Sequence, residues 1–411
     1  MIQNLLPKQP EVNIGTLGHV DNGKSTLVQA MTGIWTSKHS EEIKRGITIR
    51  IGYADAAFYK CAKCGNYINK EICPKCNTSG EFLRAVSFVD CPGHHSLMVT
   101  MLAGASLMDG ALLILSATEK CPQPQDREHL AAAQIVGIDK IVIVQNKIDV
   151  VEREQIVENY NQIQDFIEGT IIENAPIIPV SAQQSTNIDV LIEAIEKNIP
   201  TPKKDPTKPP IMLILRSFDV NRPGTSAEQL LGGVIGGSIL EGVFKVGNKI
   251  EIKPGIRIEK KGKIHYEPVY TEIISLQAGG RDVNEATPGG LIGVGTLLDP
   301  SLTKADGFVG NVVGKPNKMP PVLDHLSLDI ELFEMVIGTK ILKNVEKIRT
   351  NEALVINTGT TVTAGLVTSA RENVIDISLR RPICVELNSR LALSRRVGDS
   401  WRLIGHGIIK S

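Results

Sequence analysis

A chain of 411 residues is too long for one hydrophobic core, so two or three domains are expected. With 42% hydrophobic residues, 22% charged residues and a formal net charge of zero, the composition is that of a globular protein. It excludes a globally basic, non-specific nucleic-acid binder but leaves room for a local patch. No apolar run approaches the roughly 20 residues that span a bilayer, and the opening MIQNLLPKQP lacks the charged-then-apolar order of a secretion signal. A cytoplasmic protein with no membrane partner is the expectation.

The first predicted strand runs from Val12 to Leu17 and leads directly into Gly18-His-Val-Asp-Asn-Gly-Lys24-Ser25. This segment fits G-x4-G-K-[ST] between a predicted strand and a predicted helix, the context a phosphate loop requires. Its glycines let backbone N–H groups wrap phosphates, Lys24 places a cation on the β and γ phosphates, and the Ser25 hydroxyl can ligate Mg2+. The bland alternative is a glycine-rich turn matching by chance. Further on, Arg45-Gly-Ile-Thr48 lies where a first switch segment belongs. Thr48 would reach Mg2+ only while a γ-phosphate is present, and losing that phosphate would release the segment. Taken alone, Thr48 reads equally well as a β-branched strand residue.

Four of the seven cysteines follow as C-x2-C-x8-C-x2-C: Cys61, Cys64, Cys73 and Cys76. In a reducing compartment this spacing reads as a tetrahedral four-thiolate Zn2+ site rather than as disulfides, with free core cysteines as the alternative. Such a site has no open position. It would fold an insertion, residues 60–80, that is too small for a core of its own.

A buried strand from Ala85 to Val89 ends in Asp90-Cys-Pro-Gly93. Asp90 would hold Mg2+ through water, and Gly93 would let its N–H approach the γ-phosphate. His94 follows directly and is placed to orient an attacking water, or else simply caps the next helix. Strands over Gly110 to Leu115 and Lys140 to Val144 lead to Asn146-Lys-Ile-Asp149. The Asp149 carboxylate can accept from guanine N1–H and the 2-amino group, donors that adenine lacks. A helix over Glu152 to Ile167, a strand over Pro176 to Val180, and a helix over Asn187 to Lys197 complete the unit. After that strand the backbone of Ser181-Ala182 can meet guanine O6. Strands alternating with helices argue for a parallel sheet covered on both faces. Each motif is weak by itself; in this order they select GTP over ATP.

Pro200-Thr-Pro-Lys-Lys-Asp-Pro-Thr-Lys-Pro-Pro210 can form neither helix nor central strand and reads as a stiff linker. Beyond it, short alternating runs punctuated by glycine indicate a β-barrel, and a second break near Gly314 to Pro321 introduces another. Seven arginines lie from Arg371 to Arg402, with Arg380-Arg381 and Arg395-Arg396 paired. They are either an RNA-facing surface or an ordinary solvated barrel exterior.

Gly18-His-Val-Asp, Arg45-Gly-Ile-Thr-Ile49, Asp90-Cys-Pro-Gly-His94 and Asn146-Lys-Ile-Asp149 resemble the translational GTPases related to elongation factor Tu. Gly33-Ile-Trp-Thr-Ser-Lys-His-Ser-Glu-Glu42, the cysteine knuckle, Arg216-Ser-Phe-Asp-Val-Asn-Arg-Pro-Gly224 and Trp401-Arg-Leu-Ile-Gly405 narrow the resemblance to the gamma subunits of archaeal initiation factor 2. It covers essentially the whole chain. The fold it implies is an α/β P-loop GTPase domain over 1–203 with an inserted zinc knuckle, then β-barrel domains over 208–320 and 321–411.

The resemblance implies a GTPase that binds GTP or GDP with Mg2+ and Zn2+ and carries methionylated initiator tRNA to the small ribosomal subunit and mRNA. It would form the core of a heterotrimer with alpha and beta subunits. The expected nucleotide contacts are Asp21, Asn22, Gly23, Lys24, Ser25, Thr26, Gly93, Asn146, Lys147, Asp149, Ser181, Ala182 and Gln183. The expected magnesium ligands are Ser25, Thr48 and Asp90, with Asp21 and the Gly46 carbonyl for a second ion; His94 is the expected catalytic residue. Four positions depart from the family pattern: Asn22 for histidine, Ser25 for threonine, Cys91 for alanine, and His95 for an acid. Asparagine tolerates positive φ, so the loop is expected to keep its shape. A selenocysteine-type elongation factor, a GTP-driven metal chaperone and a non-hydrolysing scaffold are the alternatives.

Overall fold

The computed structural model describes residues 6–36, 48, 50–94, 97–337, 344–398 and 400–410. Its first unit is a seven-stranded sheet made by β1 (Val12–Leu17), β2 (Gly52–Cys61), β3 (Tyr67–Ile68), β4 (Gly80–Asp90), β5 (Gly110–Ser116), β6 (Ile141–Asn146) and β7 (Ile177–Pro179). The strand order is β3-β2-β4-β1-β5-β6-β7. Strands β1, β4, β5, β6 and β7 run parallel, as their near-continuous apolar runs require. The parallel sheet carries one antiparallel edge, where β2 pairs antiparallel with β4 and β3 with β2. The cause is local: β2 and β4 are joined through the cysteine insertion with no crossover helix, so the chain must turn straight back.

Helices α1 (Lys24–Thr32), α2 (Met98–Ala105), α3 (Pro124–Val136), α4 (Arg153–Ile167) and α5 (Ile188–Asn198) cover the two faces. Val12, Ile14, Phe88 and Leu112 pack with α1 and α5, while Leu17, Val89, Leu113 and Ile143 pack with α2, α3 and α4. Alternation along each strand therefore builds two cores from one sheet. Pro124 stands at the start of α3, the Asp126 carboxylate accepts from the Gln123 N–H at 2.8 Å, and left-handed Gly137 ends the helix. No described helix is long and apolar enough to cross a membrane.

The second unit holds β8 (Ile211–Phe218), β9 (Val234–Glu241), β10 (Phe244–Lys245), β11 (Lys249–Lys260), β12 (Lys263–Ala278), β13 (Arg281–Val283), β14 (Glu285–Ala286), β15 (Ile292–Thr296) and β16 (Val312–Gly314), with one short helix, α6 (Pro300–Thr303). Its sheet order is β11-β16-β8-β9-β15-β12-β13, and β11 also pairs with β12, which closes the ring. The third unit is a closed barrel of β17 (Val322–Leu332), β18 (Ala353–Thr358), β19 (Thr361–Arg371), β20 (Val374–Cys384), β21 (Arg390–Val397) and β22 (Ser400–Ile409).

The proline-rich stretch carries no helix or strand but is tied down on both sides. Lys204 pairs with Asp109 at 2.8 Å, and Lys208 with Glu241 at 2.8 Å. Asn13, buried at the start of β1, donates to Leu107 O and Ser238 Oγ and accepts from the Gly290 N–H, fixing the first sheet to the second unit. The third unit sends Ala392 and Leu403 into the core around α3.

Candidate functional site

The sequence motifs gather along the carboxyl ends of parallel strands, where an open α/β sheet binds ligands. Gly18 follows β1 with φ 132°, and a Cβ there would lie 2.2 Å from Ile114 O, so only glycine fits. Lys24, nearly fully buried, donates from Nζ to the carbonyls of Gly18 (2.9 Å) and His19 (2.6 Å). Burial lowers its pKa, opposed by the charge of Asp90. Gly93 abuts the loop, for an added Cβ would stand 2.3 Å from Lys24 Nζ and 2.9 Å from Val20 N. The Asp90–Gly93 turn and the phosphate loop therefore form one surface.

Asn22 does not keep the loop's shape by tolerating positive φ. The positive φ belongs to Asp21, at 65°, and not to Asn22. Asn22 is a buried tether: its Nδ2 donates to Ile114 O at 2.8 Å and to Asp126 Oδ1 at 3.3 Å. Helix α3 grips the same loop twice more. His19 N–H donates to Asp126 Oδ1 and Gly18 N–H donates to His129 Nδ1, both at 2.8 Å. Burial raises the Asp126 pKa, and it pushes His129 down to about 3, so His129 stays neutral and its Nδ1 is an acceptor. Asp126 and His129 were not read from the sequence. The available signal was a run of four ionisable residues, Asp126, Arg127, Glu128 and His129, ahead of an alanine-rich stretch.

Hydroxyl groups surround the Asp90 carboxylate. Thr16 Oγ1 donates to Oδ1 at 3.0 Å, and Oδ2 accepts from Ser25 Oγ at 2.6 Å and Thr36 Oγ1 at 2.5 Å. Ser25 Oγ lies 3.1 Å from Thr48 Oγ1. The donor set of Ser25, Thr48 and a buried carboxylate is all oxygen, which suits a hard divalent cation such as Mg2+. Thr36, like Asp126 and His129, carries no role in the motif reading.

Asn146, at the end of β6, joins the phosphate and base loops. Its Nδ2 donates to Asn22 O at 2.8 Å, and its Oδ1 accepts from Ala182 N–H at 3.1 Å. Lys147 is left-handed (φ 64°), and Asp149 stands exposed in a short 3-10 turn. Ser181 forms a tight loop with Thr186, and its Oγ accepts from Gln184 N–H at 3.1 Å; Gln183 is exposed. Thr26 lies in the first turn of α1. His94 turns the chain toward α2, its carbonyl accepting from Leu97 N–H at 2.8 Å. Gly46, its neighbours Arg45 and Ile47, and His95 lie outside the described residues.

The cysteines form two matching turns. Gly65 N–H donates to Cys61 O (3.0 Å) and Asn77 N–H to Cys73 O (2.9 Å), with Gly65 and Asn77 both left-handed. The four Sγ atoms lie within 4.8 Å of one another, with separations of 3.3 Å for Cys61–Cys76 and 3.6 Å for Cys64–Cys73. A zinc ion with Zn–S bonds of about 2.3 Å needs S–S edges of about 3.8 Å, so the cluster fits. Backbone N–H donation from Cys64, foremost among several hydrogen bonds, brings the Cys61 thiol down to about 6.

Several of the C-terminal arginines serve the fold. Arg395 binds the Glu352 carboxylate and the Glu346 carbonyl, Arg381 donates to Val309 O at 3.0 Å, and Arg402 pairs with Glu128. The paired arginines thus supply fewer free cations than their number implied.

Residues 9–201 match the family model described as the elongation factor Tu GTP binding domain, and residues 324–409 match that of the initiation factor eIF2 gamma C terminus. Translation initiation factor 2 subunit gamma of Pyrococcus abyssi is 59% identical over 98% of both chains. The protein of the same name from Methanocaldococcus jannaschii is 56% identical, again over 98% of both. Among solved structures, a bacterial selenocysteine-specific elongation factor superposes with a TM-score of 0.74 at 24% identity, covering 97% of this chain and 58% of that one. That likeness is one of fold.

Proposed function

Because the chain belongs to the family of translation initiation factor 2 gamma subunits, we propose that it carries methionylated initiator tRNA to the small ribosomal subunit, with GTP hydrolysis coupled to start-codon recognition and release. The chain is an initiation factor with a GTPase domain of the elongation factor Tu type. The observation that carries the finer reading is the convergence of phosphate, cation and base loops in one site, followed by two closed barrels, in a chain that matches those subunits nearly end to end.

In this reading the backbone from Asp21 to Thr26 cradles the phosphates, and Lys24 leaves its two carbonyls to neutralise the β and γ oxygens. Ser25, Thr48 and Asp90 would hold Mg2+, and Asp21 with the Gly46 carbonyl would serve a second ion. Magnesium supplies charge neutralisation on the phosphates. Gly93 senses the γ-phosphate by its N–H, and His94 orients the water. Asp149 reads the guanine edge while Asn146, Lys147, Ser181, Ala182 and Gln183 shape its pocket. The four cysteines hold zinc, which fixes the knuckle and takes no part in chemistry. The beta subunit docks on the first domain and the alpha subunit on the second. The tRNA acceptor end lies between the first and second domains.

The test is binding of methionylated initiator and elongator tRNAs to the assembled heterotrimer with GTP and then with GDP. Selective, GTP-dependent binding of the initiator is expected. Equal binding of both tRNAs, or indifference to the nucleotide, defeats the proposal.

A further inference from the structure

Thr36 donates to Asp90 from outside both strand β1 and the phosphate loop. Thr16 comes from the neighbouring strand β1, and Ser25 from the phosphate loop. Thr36 lies four residues beyond the end of α1, and residues 37–47 separate it from Thr48. Both threonines nevertheless reach the same small cluster. Thr36 touches Asp90 Oδ2 directly (2.5 Å), and Thr48 reaches it by way of Ser25 (3.1 Å, then 2.6 Å).

The position is built for this contact. Thr36 is partly buried whereas its neighbour Trp35 is 44% exposed. A Cβ on Gly52 would stand 2.7 Å from Thr36 Cβ, so the bare backbone of β2 makes the room. A hydrogen bond to a charged acceptor is worth about tenfold or more in an equilibrium constant. Its oxygen, Oδ2, is also the one that receives Ser25.

We propose that Thr36 is a positioning residue that orients the Asp90 carboxylate for the magnesium site. The inference rests on the magnesium reading of Ser25 and Asp90. It adds an element that reading lacks, a hydroxyl that never ligates the ion yet sets how well the carboxylate can serve it.

The experiment follows release of a fluorescent GDP analogue from the full chain across a magnesium titration and in excess EDTA. Thr36→Val keeps the side-chain shape and removes the hydroxyl; Thr36→Ser keeps the hydroxyl. The expected result is that Thr36→Val needs about tenfold more magnesium for half-maximal retention, Thr36→Ser stays close to the parent, and release in EDTA is the same for all three. Parental magnesium dependence in Thr36→Val overturns the proposal. An equal acceleration with and without magnesium also overturns it, because the hydroxyl would then be merely structural. Ser25→Ala separates the two levels. If it too leaves the magnesium dependence unchanged, the underlying cation site is wrong; if it alone is sensitive, only the role of Thr36 fails.

Discussion

Arg402 of β22 places Nη1 3.1 and 3.2 Å from the two carboxylate oxygens of Glu128 on α3, and Glu128 is wholly buried. Two residues earlier on that helix Asp126 holds the phosphate loop through His19 and Asn22, and one residue later His129 holds it through Gly18. A single helix thus joins the third unit to the nucleotide site through buried polar contacts. Removing one partner of a buried ion pair costs about 3–5 kcal/mol because the other charge is stranded. Arg402→Met should lower the unfolding midpoint strongly, because it strands the Glu128 carboxylate, and adding Glu128→Gln should recover much of the loss. Additive losses in the double-mutant cycle would show that the pair is not coupled.

The same pair has a pH signature. Burial, resisted by Arg402, raises the Glu128 carboxyl from 4.5 to about 7. The folded state therefore binds the proton more tightly than the unfolded state. The resulting stability is fully present below the unfolded value of 4.5 and is lost as pH rises through about 7. Stability measured at pH 5 and pH 7.5 should fall between the two by more in the parent protein than in Glu128→Gln. Identical slopes would remove Glu128 from the account.

His129→Ala should loosen the phosphate loop. The variant leaves the buried Gly18 N–H without its acceptor, a loss of about 1–3 kcal/mol, so GDP affinity should drop on the order of tenfold. Guanine selectivity should persist, since Asp149 is untouched. Here the folded pKa is depressed from 6.5 to about 3 by burial, so the contact contributes above pH 6.5 and is lost as pH falls toward 3. Titration calorimetry of GDP at pH 7 decides the matter; an unchanged affinity rules out the tether.

Local patterns carried much of this reading. The strand from Val12 to Leu17 and the core of the helix from Glu152 to Ile167 follow from apolar runs and 3.6-residue periodicity. The phosphate loop is legible because its backbone conformation demands glycines at fixed offsets. Contacts made at long range were not legible. His129 meets Gly18 across 111 positions and Thr36 meets Asp90 across 54, and no spacing rule links such pairs. Asn22 was misjudged for the same reason: its partners are tertiary, so its own conformational preference did not decide its role. Arginine counts leave both readings open because a guanidinium can be spent on an internal carboxylate, as Arg395 is on Glu352.

Metal removal should destabilise the first domain. Cys73 is fully buried, and the knuckle packs through Cys61 and Cys73 against Leu6, Tyr59 and Ile68. Stripping zinc would leave close-set sulfurs, one with a thiol pKa of about 6 and so substantially ionised at neutral pH. Elemental analysis should find one zinc per chain, and chelation should lower the melting temperature and expose this patch to protease. A metal-free protein that melts at the parental temperature would falsify the structural role.

Base selectivity should reside in Asp149. Its carboxylate stands exposed in the turn after β6, and that turn is fixed from both sides: Ile148 N–H donates to Val180 O, and Asn146 binds both Asn22 and Ala182. Protein contacts thus set the backbone of the turn, and the Asp149 side chain chooses the base. Two charge-assisted bonds of roughly 1.5–3 kcal/mol each amount to at least about a hundredfold preference. Asp149→Asn replaces one acceptor oxygen with a donor, which opposes the guanine 2-amino group but complements the carbonyl that xanthine carries at that position. The variant should therefore lose about two orders of magnitude in GDP affinity and gain affinity for xanthosine diphosphate. Its folding and zinc content should stay parental, because Asp149 supports no other contact among the described hydrogen bonds. Retained guanine selectivity in competition binding would place the base contact elsewhere in the pocket.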